Sequence, residues 1–152
     1  MIDFRRPLFA LTIMASIAFA VSAATARWET DMSKALADAK KSSKHLLLNF
    51  TGSDWCPWCF RLRDEVFATR EFEQYAEKNL ICVVVDFPRG KKQSDALVKQ
   101  NRELAEKYGV QGFPTVVLLT PNGGLKATTG YRQGGADAYI DHLTDILSGK
   151  AK

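Results

Sequence analysis

Cysteine and histidine are scarce in this chain of 152 residues, which has three of the first and two of the second. A small scaffold held together by disulfides would use many more cysteines, so that class of protein is excluded. His45 and His142 form no spaced pair of the kind that a structural zinc site uses. Haem attachment is also excluded, because Phe60 stands where a histidine would have to follow the second cysteine of Cys-x-x-Cys.

The chain also lacks a strong excess of charge of one sign. Its 21 basic and 17 acidic residues give a net charge of +4, which is far from the concentrated basic surface that binds a nucleic acid. Repeats, linkers and low-complexity segments are absent from the sequence. We therefore expect one domain that is a monomer and binds no nucleic acid. Two lysine clusters, Lys40, Lys41 and Lys44 in one turn and Lys91 and Lys92 in another, are interpreted as solvated loops without a function.

No apolar run reaches the roughly 20 residues that cross a bilayer. The longest, residues 8–21, follows two arginines and leads into small residues that end at Ala26. This order is typical of an export signal. We expect residues 1–26 to be a signal peptide that is cleaved near Ala26, which leaves a domain of residues 27–152 in the periplasm or otherwise outside the cytoplasm. Retention of the segment as a membrane anchor is the alternative.

Hydrophobic periodicity predicts eight elements in the mature chain. Apolar residues at every third or fourth position predict helices over residues 28–42, 60–77, 94–108 and 136–147. The second of these is interpreted as one helix or as two with a break at residues 68–70. Continuous or β-branched apolar runs predict strands over residues 45–51, 80–87, 115–120 and 125–131. This order predicts an α/β fold with a central mixed β-sheet flanked by helices on both faces.

The chemistry is expected at Cys56 and Cys59, which follow the first predicted strand directly. Two cysteines three positions apart lie on one side of a helix and can form a small disulfide ring. A sulfur at a helix N-terminus is close to free N–H groups and to the positive end of the helix dipole, which favour the thiolate. We predict that Cys56 is the accessible catalytic nucleophile and that Cys59, one turn deeper, is the resolving cysteine. Cys82 is interpreted as a small core residue.

Other functions remain open for a Cys-x-x-Cys pair taken alone. The same two thiols suit a module that binds a copper or zinc ion and delivers it, or an adaptor whose fold only holds partners. An inert structural disulfide is a further alternative, although a four-residue loop constrains the unfolded chain little and so stabilises the fold little.

Two segments together resemble the thioredoxin superfamily. They are Trp55-Cys56-Pro57-Trp58-Cys59 after a buried strand and Gly112-Phe113-Pro114-Thr115 before a later one. The stretch from Phe50 to Cys56 is most similar to the exported thioredoxin-like thiol:disulfide interchange proteins, including the DsbH type. The resemblance covers nearly the whole mature chain and implies the thioredoxin fold.

The resemblance also implies an activity, that of a protein thiol-disulfide oxidoreductase, and more a reductase or isomerase than an oxidase. Its partners would be proteins with disulfides or thiols, and a membrane electron donor would keep it reduced. It would need no cofactor beyond its own redox-active disulfide between Cys56 and Cys59.

Substrate contacts follow from the same resemblance. In the superfamily the proline that matches Pro114 is in the cis form, faces the cysteine pair, and has neighbours whose backbone pairs with an extended substrate. The tryptophans that bracket the nucleophile are expected to form an apolar contact face. The expected substrate-binding residues are therefore Trp55, Pro57, Trp58, Phe113, Pro114 and Thr115. Gly130 and Tyr131 are further residues that lie near the motif in this superfamily.

The sequence departs from the superfamily at one buried position. Cytoplasmic thioredoxins have an aspartate on the strand before the motif, and Asn49 stands at the matching position here. A buried carboxylate that moves a proton is therefore not expected. Asp54 is interpreted as a helix cap or a solvent-facing residue and not as the base. Arg61 and Arg63 are interpreted as solvated charges on the helix.

Overall fold

A computed structural model of the chain describes residues 27–150. The segment interpreted as a signal peptide, residues 1–26, lies outside the described residues. The strands are β1 (Trp28–Glu29), β2 (His45–Thr51), β3 (Leu80–Asp86), β4 (Thr115–Leu119) and β5 (Leu125–Gly130). The α-helices are α1 (Met32–Ser42), α2 (Pro57–Leu62), α3 (Arg70–Asn79), α4 (Asp95–Lys107) and α5 (Gly135–Ser148). A π-helical turn, Arg63–Phe67, continues α2.

The five strands form one mixed sheet in the order β1-β3-β2-β4-β5. β1 and β2 run parallel to β3, whereas β4 is antiparallel to both β2 and β5. Phe50, near the end of the central strand β2, pairs with Val85 on one side and with Thr115 on the other. The loop that leaves β2 therefore emerges beside the start of β4, and this brings two distant parts of the sequence together.

Helices cover both faces of the sheet, because successive residues of a strand point to opposite sides. On one face Leu46, Leu48 and Phe50 pack with residues of α1 and α4 such as Ala39 and Leu104. On the other face the alternate residues pack with α2, α3 and α5, and these include Leu47, Val116, Leu62, Phe72 and Leu143. The predicted α/β architecture, a mixed sheet between two layers of helices, is confirmed.

The prediction that the first helix begins at Trp28 is wrong. Trp28 lies on β1 and pairs with Cys82, and α1 begins only after Asp31, whose side chain accepts hydrogen bonds from the N–H groups of Ser33 and Lys34. The helical spacing between Trp28 and Met32 is a coincidence, because the two side chains pack against opposite faces of the sheet.

The second helical region confirms the predicted break. α2 and its π-helical turn end at Ala68, and Thr69 caps α3 by accepting the N–H of Phe72. The prediction that a helix begins at the cysteine pair is confirmed: α2 begins at Pro57, directly after Cys56, three residues before the start that hydrophobic periodicity indicated, and a proline at the first helical position loses no hydrogen bond. The predicted cap of α4 is also confirmed, since Ser94 accepts the N–H of Leu97.

Candidate active site

Cys56 and Cys59 stand at the start of α2 and are joined by a disulfide, with their Cα atoms 5.2 Å apart. Cys56 is the N-cap residue: its backbone is extended, Pro57 follows it as the first helical residue, and its Sγ accepts the N–H of Cys59 at 3.2 Å. The same N–H, which belongs to the first turn, also donates to the carbonyl of Cys56 at 3.1 Å, so the sulfur of Cys56 shares a backbone donor at the helix start. This is the arrangement that stabilises a thiolate.

The predicted difference in exposure between the two cysteines is wrong. Cys56 is 4% exposed and Cys59 is 5% exposed, so the first is no more accessible than the second in this oxidised state. What distinguishes them is their position on the backbone, since Cys56 caps the helix and Cys59 lies within its first turn.

Trp55 is held on one side of the disulfide by three contacts. Its Nε1 donates a hydrogen bond to the carbonyl of Phe87 at 2.8 Å, and its ring meets that of Phe113 edge to face at 5.9 Å between centroids. The guanidinium of Arg89 lies 3.9 Å from the centroid of the same ring. Gly52 makes room for the indole, because a Cβ at this position would lie 2.6 Å from Nε1 of Trp55.

Trp58 lies on the other side of the disulfide and is 51% exposed, next to the exposed Pro57. Its ring packs against Tyr131 at 5.3 Å, and the guanidinium of Arg61 lies within 5.2 Å of both ring centroids. Arg61 is therefore more than the solvated charge that the sequence predicted. An exposed tryptophan beside a reactive disulfide is an apolar surface that a partner can cover.

Glu65 balances the charge on this side. It pairs with Arg61 at 2.9 Å and accepts a hydrogen bond from the hydroxyl of Tyr131. The Tyr131 hydroxyl, and after it Arg61, hold the pKa of Glu65 below its usual value, and the same bond to the carboxylate raises the pKa of Tyr131. Tyr131 is thus near the motif, as the resemblance implies. Arg63 pairs with Asp64 at 2.7 Å on the exposed surface.

The segment Phe113-Pro114-Thr115 lies beside the start of the loop that carries the cysteines. The peptide bond between Phe113 and Pro114 is cis, as the resemblance implies. Thr115 begins β4 and pairs with Phe50, so Pro114 lies level with the end of β2. All three residues are partly exposed. The backbone passes close to β5 at this point, since a Cβ on Gly130 would lie 3.2 Å from the carbonyl oxygen of Pro114.

A cavity of about 370 Å³ lies beside Cys59, with Asn49, Thr51, Phe60 and Phe67 among its lining residues. Asn49 is on β2, and its buried Oδ1 has no hydrogen-bond partner among the described residues. The side chain of Asn49 is an amide, which has no acidic proton to transfer, and no residue of β2 is an aspartate or a glutamate.

Of the two roles predicted for Asp54, a helix cap or a solvent-facing residue, the first is wrong, because Cys56 itself caps α2. The Asp54 carboxylate instead accepts hydrogen bonds from the N–H groups of Arg89 at 3.0 Å and Gly90 at 2.7 Å, and these bonds lower its pKa. One residue earlier, Ser53 donates from its N–H and its hydroxyl to the carboxylate of Asp86. Sequence reasoning missed Asp86 and Arg89, because more than 30 residues separate them from the motif.

Cys82 lies on β3 and has the core role that the sequence predicted. It is a free thiol that is 2% exposed, and burial raises its pKa to about 12. A thiol of this kind is protonated and unreactive at neutral pH. Within residues 27–150, no three His, Cys, Asp or Glu side chains are placed to hold a metal ion together. Over the same range, no helix has the length and hydrophobicity needed to span a membrane.

Comparison with known proteins agrees with this geometry. Residues 32–144 match the family described as thioredoxin-like domain. The chain is 36% identical over 127 residues to the "Disulfide bond reductase DsbH" of Chlamydia pneumoniae, an alignment that covers 84% of this chain and 76% of that protein. It is 31% identical over 93 residues to the "Thioredoxin-related protein DsbJ" of the same organism, and this alignment covers 27% of that protein.

Solved structures show the same relationship. A structure titled "DsbH Oxidoreductase" superimposes with a TM-score of 0.79 at 35% identity, and the match covers 91% of this chain and 93% of that one. A thioredoxin from Thermus thermophilus matches with a TM-score of 0.63 at 19% identity, covers 84% of this chain and 92% of its own, and shares the fold. The chain has the thioredoxin fold and belongs to the thioredoxin-like family.

Proposed function

We propose that this chain is an exported protein thiol-disulfide oxidoreductase that reduces disulfides in other proteins through Cys56 and Cys59. The observation that carries the proposal is the position of the disulfide, with Cys56 as the cap of α2 and its Sγ on the N–H of Cys59. Its similarity to a protein named disulfide bond reductase favours reduction over oxidation. Isomerisation, which rearranges disulfides by the same exchange chemistry, is the alternative activity.

The reaction has two exchange steps. In the reduced protein the thiolate of Cys56 attacks a substrate disulfide, breaks its S–S bond and forms a mixed disulfide, and the released substrate sulfur takes up a proton. Cys59 then loses its proton, attacks the Cys56 sulfur and releases the second substrate thiol. Two electrons pass to the substrate, and the protein keeps the Cys56–Cys59 disulfide.

The surroundings of the disulfide suit an extended protein substrate. Trp55 directly precedes the first cysteine, and Pro57 and Trp58 stand between the two cysteines. Phe113, Pro114 and Thr115 offer backbone at the neighbouring start of β4. We assign substrate binding to these six residues. A dithiol donor held in the membrane would return two electrons and two protons to the disulfide, and the protein would act as a monomer.

Insulin reduction in the presence of dithiothreitol tests this proposal. We expect the wild-type protein to accelerate the precipitation of reduced insulin. With Cys56→Ser, precipitation should be no faster than with dithiothreitol and no protein. Cys82→Ala is the matched control, because it removes the buried thiol that has no part in the reaction, and it should keep the acceleration. Equal rates for the wild type and Cys56→Ser would contradict the proposal.

The proposed export rests on residues 1–26, whose order of arginines, apolar run and small residues is typical of an export signal. The N-terminal sequence of the mature protein, taken from a secreting bacterial host, should begin near Arg27. A mature protein that starts at Met1 in the cytoplasmic fraction would contradict export, and one that starts at Met1 in the membrane fraction would indicate an anchor.

A further inference from the structure

A basic loop, residues 88–93, connects β3 to α4 on the Trp55 side of the disulfide. It carries Arg89, Lys91 and Lys92 and has no acidic residue. All three cations are exposed. Among the ion pairs within residues 27–150, none includes any of these three side chains. The cations are therefore available to a partner.

The loop is fixed against the residues that come directly before the nucleophile. Asp54 accepts the N–H groups of Arg89 and Gly90, and the indole of Trp55 donates to the carbonyl of Phe87. These bonds join residues that are more than 30 positions apart in sequence. They hold the loop next to Asp54 and Trp55, the two residues that directly precede Cys56, with Arg89 over the ring of Trp55.

Two carboxylates beside the loop, those of Asp54 and Asp86, are already engaged, while Asp95 at the start of α4 is exposed. Asp54 is bound by the two backbone N–H groups, and Lys91 is close enough to contribute to the lowering of its pKa. Asp86 is bound by the N–H and the hydroxyl of Ser53. Arg89 is spread over the ring of Trp55 and is not paired with an acid.

The opposite side of the disulfide differs in charge. There the arginine that stacks on Trp58, Arg61, is paired with Glu65 at 2.9 Å. The two tryptophans therefore present unlike surfaces: one lies beside unpaired cations and the other beside a balanced ion pair. A partner that crosses the site therefore meets the three cations of the basic loop on the Trp55 side, whereas on the Trp58 side a single exposed arginine outside these ion pairs, Arg132, follows Tyr131.

We propose that the basic loop binds acidic residues that flank the reacting cysteine of a partner protein, so that disulfides in acidic segments react faster with this chain. The inference rests on the proposed function, because it names the class of substrate for the same site. Charges at the rim of an interface act mainly on the association rate, and salt screens them. The preference should therefore appear in the second-order rate constant and weaken as salt is added.

Three peptides that differ only in the residues around one cysteine provide the test. Each has its cysteine in a disulfide with 2-mercaptoethanol and carries aspartates, serines or lysines on both sides of it. The rate constant for reduced protein is divided by the rate constant for dithiothreitol, which removes the effect of the flanking charges on the disulfide itself. We expect the corrected rate for the aspartate peptide to exceed that for the lysine peptide at least about threefold at low salt. The ratio should approach one at about 0.5 M salt, where the Debye length is only a few ångströms.

Two double variants with the same change in net charge locate the effect. Lys91→Glu/Lys92→Glu should bring the ratio to about one or invert it, whereas Lys40→Glu/Lys41→Glu, at the end of α1, should keep it. Circular dichroism checks that both variants are folded, as expected for exposed side chains. A wild-type ratio of one or less at low salt would overturn the inference, and so would equal losses in the two variants, which would assign the effect to net charge. Failure of the proposed function looks different, because no peptide, including the serine peptide, would then be reduced.

Discussion

The two cysteines differ in what their backbone positions allow, although their exposures are nearly equal. Cys56 caps α2 and its sulfur receives a backbone N–H, whereas Cys59 lies within the first turn beside a cavity. The helix start stabilises negative charge on the first sulfur and does less for the second. The order of the two exchange steps follows from this difference.

Replacement of Cys59 should trap the intermediate of the first step. In Cys59→Ser the thiolate of Cys56 still attacks, but no second thiol resolves the mixed disulfide. We expect complexes with substrate proteins that withstand denaturing gels without reductant and disappear when reductant is added. Mass spectrometry of these complexes would identify the substrates.

The matched control is Cys56→Ser, which removes the attacking sulfur and should trap no complexes. If Cys56→Ser trapped as many complexes as Cys59→Ser, the two roles would have been assigned wrongly.

At the scale of the elements, the site depends on the loop between β2 and α2. Gly52 and Trp55 illustrate this dependence, because the indole occupies the space where a side chain at position 52 would lie. The same loop is bound to the end of β3 through Ser53 and Asp86. The loop is therefore held in place from two directions.

Gly52→Ala should displace Trp55 and lower both stability and activity. Its Cβ would lie 2.6 Å from Nε1 of Trp55, so the indole must move and its hydrogen bond to Phe87 must lengthen. Overpacking of this kind typically costs about 1–3 kcal/mol of the free energy of unfolding. Denaturant unfolding and insulin reduction would measure the two effects.

Gly112→Ala is the control for this substitution, since a Cβ there meets nothing within 4 Å and Gly112 has no positive φ. We expect a change in unfolding free energy below about 0.5 kcal/mol, as for other surface substitutions. A Gly52→Ala protein as stable and as active as Gly112→Ala would contradict the close packing described here.

Elements with a strong local pattern could be predicted from the sequence, and contacts between distant segments could not. The apolar run of β2 and the capped pattern of α4 each depend on neighbouring residues, so their boundaries were close to those observed. β1 is only two residues long and exists because Trp28 pairs with Cys82, a partner that no local pattern reveals. Arg89 likewise reaches the site only because the end of β3 lies beside the loop after β2.

The same division between local pattern and distant contacts holds for the site. Cys56 and Cys59 stand out by their spacing, and the cis bond before Pro114 follows from the resemblance and not from local pattern. The exposure of Cys56 was predicted wrongly, because burial depends on how the whole loop packs against the sheet.

At the scale of the whole molecule, stability should fall on mild acidification because of two partly buried histidines. Burial lowers the pKa of both His45 and His142, and Nε2 of His142 lies 3.0 Å from the hydroxyl of Thr129. The unfolded chain binds protons more readily than the folded one, so this contribution to stability is complete above the unfolded pKa of about 6.5 and is lost as the pH falls below it.

Unfolding by urea at about pH 7.5 and about pH 5 would measure this effect. We expect the free energy of unfolding to decrease between the two, and His142→Gln, which keeps a polar group near Thr129, to reduce that decrease. An unchanged slope in His142→Gln would contradict the assignment to this histidine. The window lies above the range in which Asp54 and Glu65 titrate, since the pKa values of both carboxyls are lowered.

The fold as a whole serves to bring one sulfur to a helix start beside the first residues of β4. The central claim is therefore that Cys56, and not Cys59, is the reactive thiol of the reduced protein. Brief treatment of the fully reduced protein with a limiting amount of iodoacetamide at neutral pH, followed by mass spectrometry of its peptides, tests this claim most directly. We expect the label on Cys56 well before Cys59 or Cys82, whereas equal labelling of Cys56 and Cys59, or labelling of Cys59 first, would contradict the account.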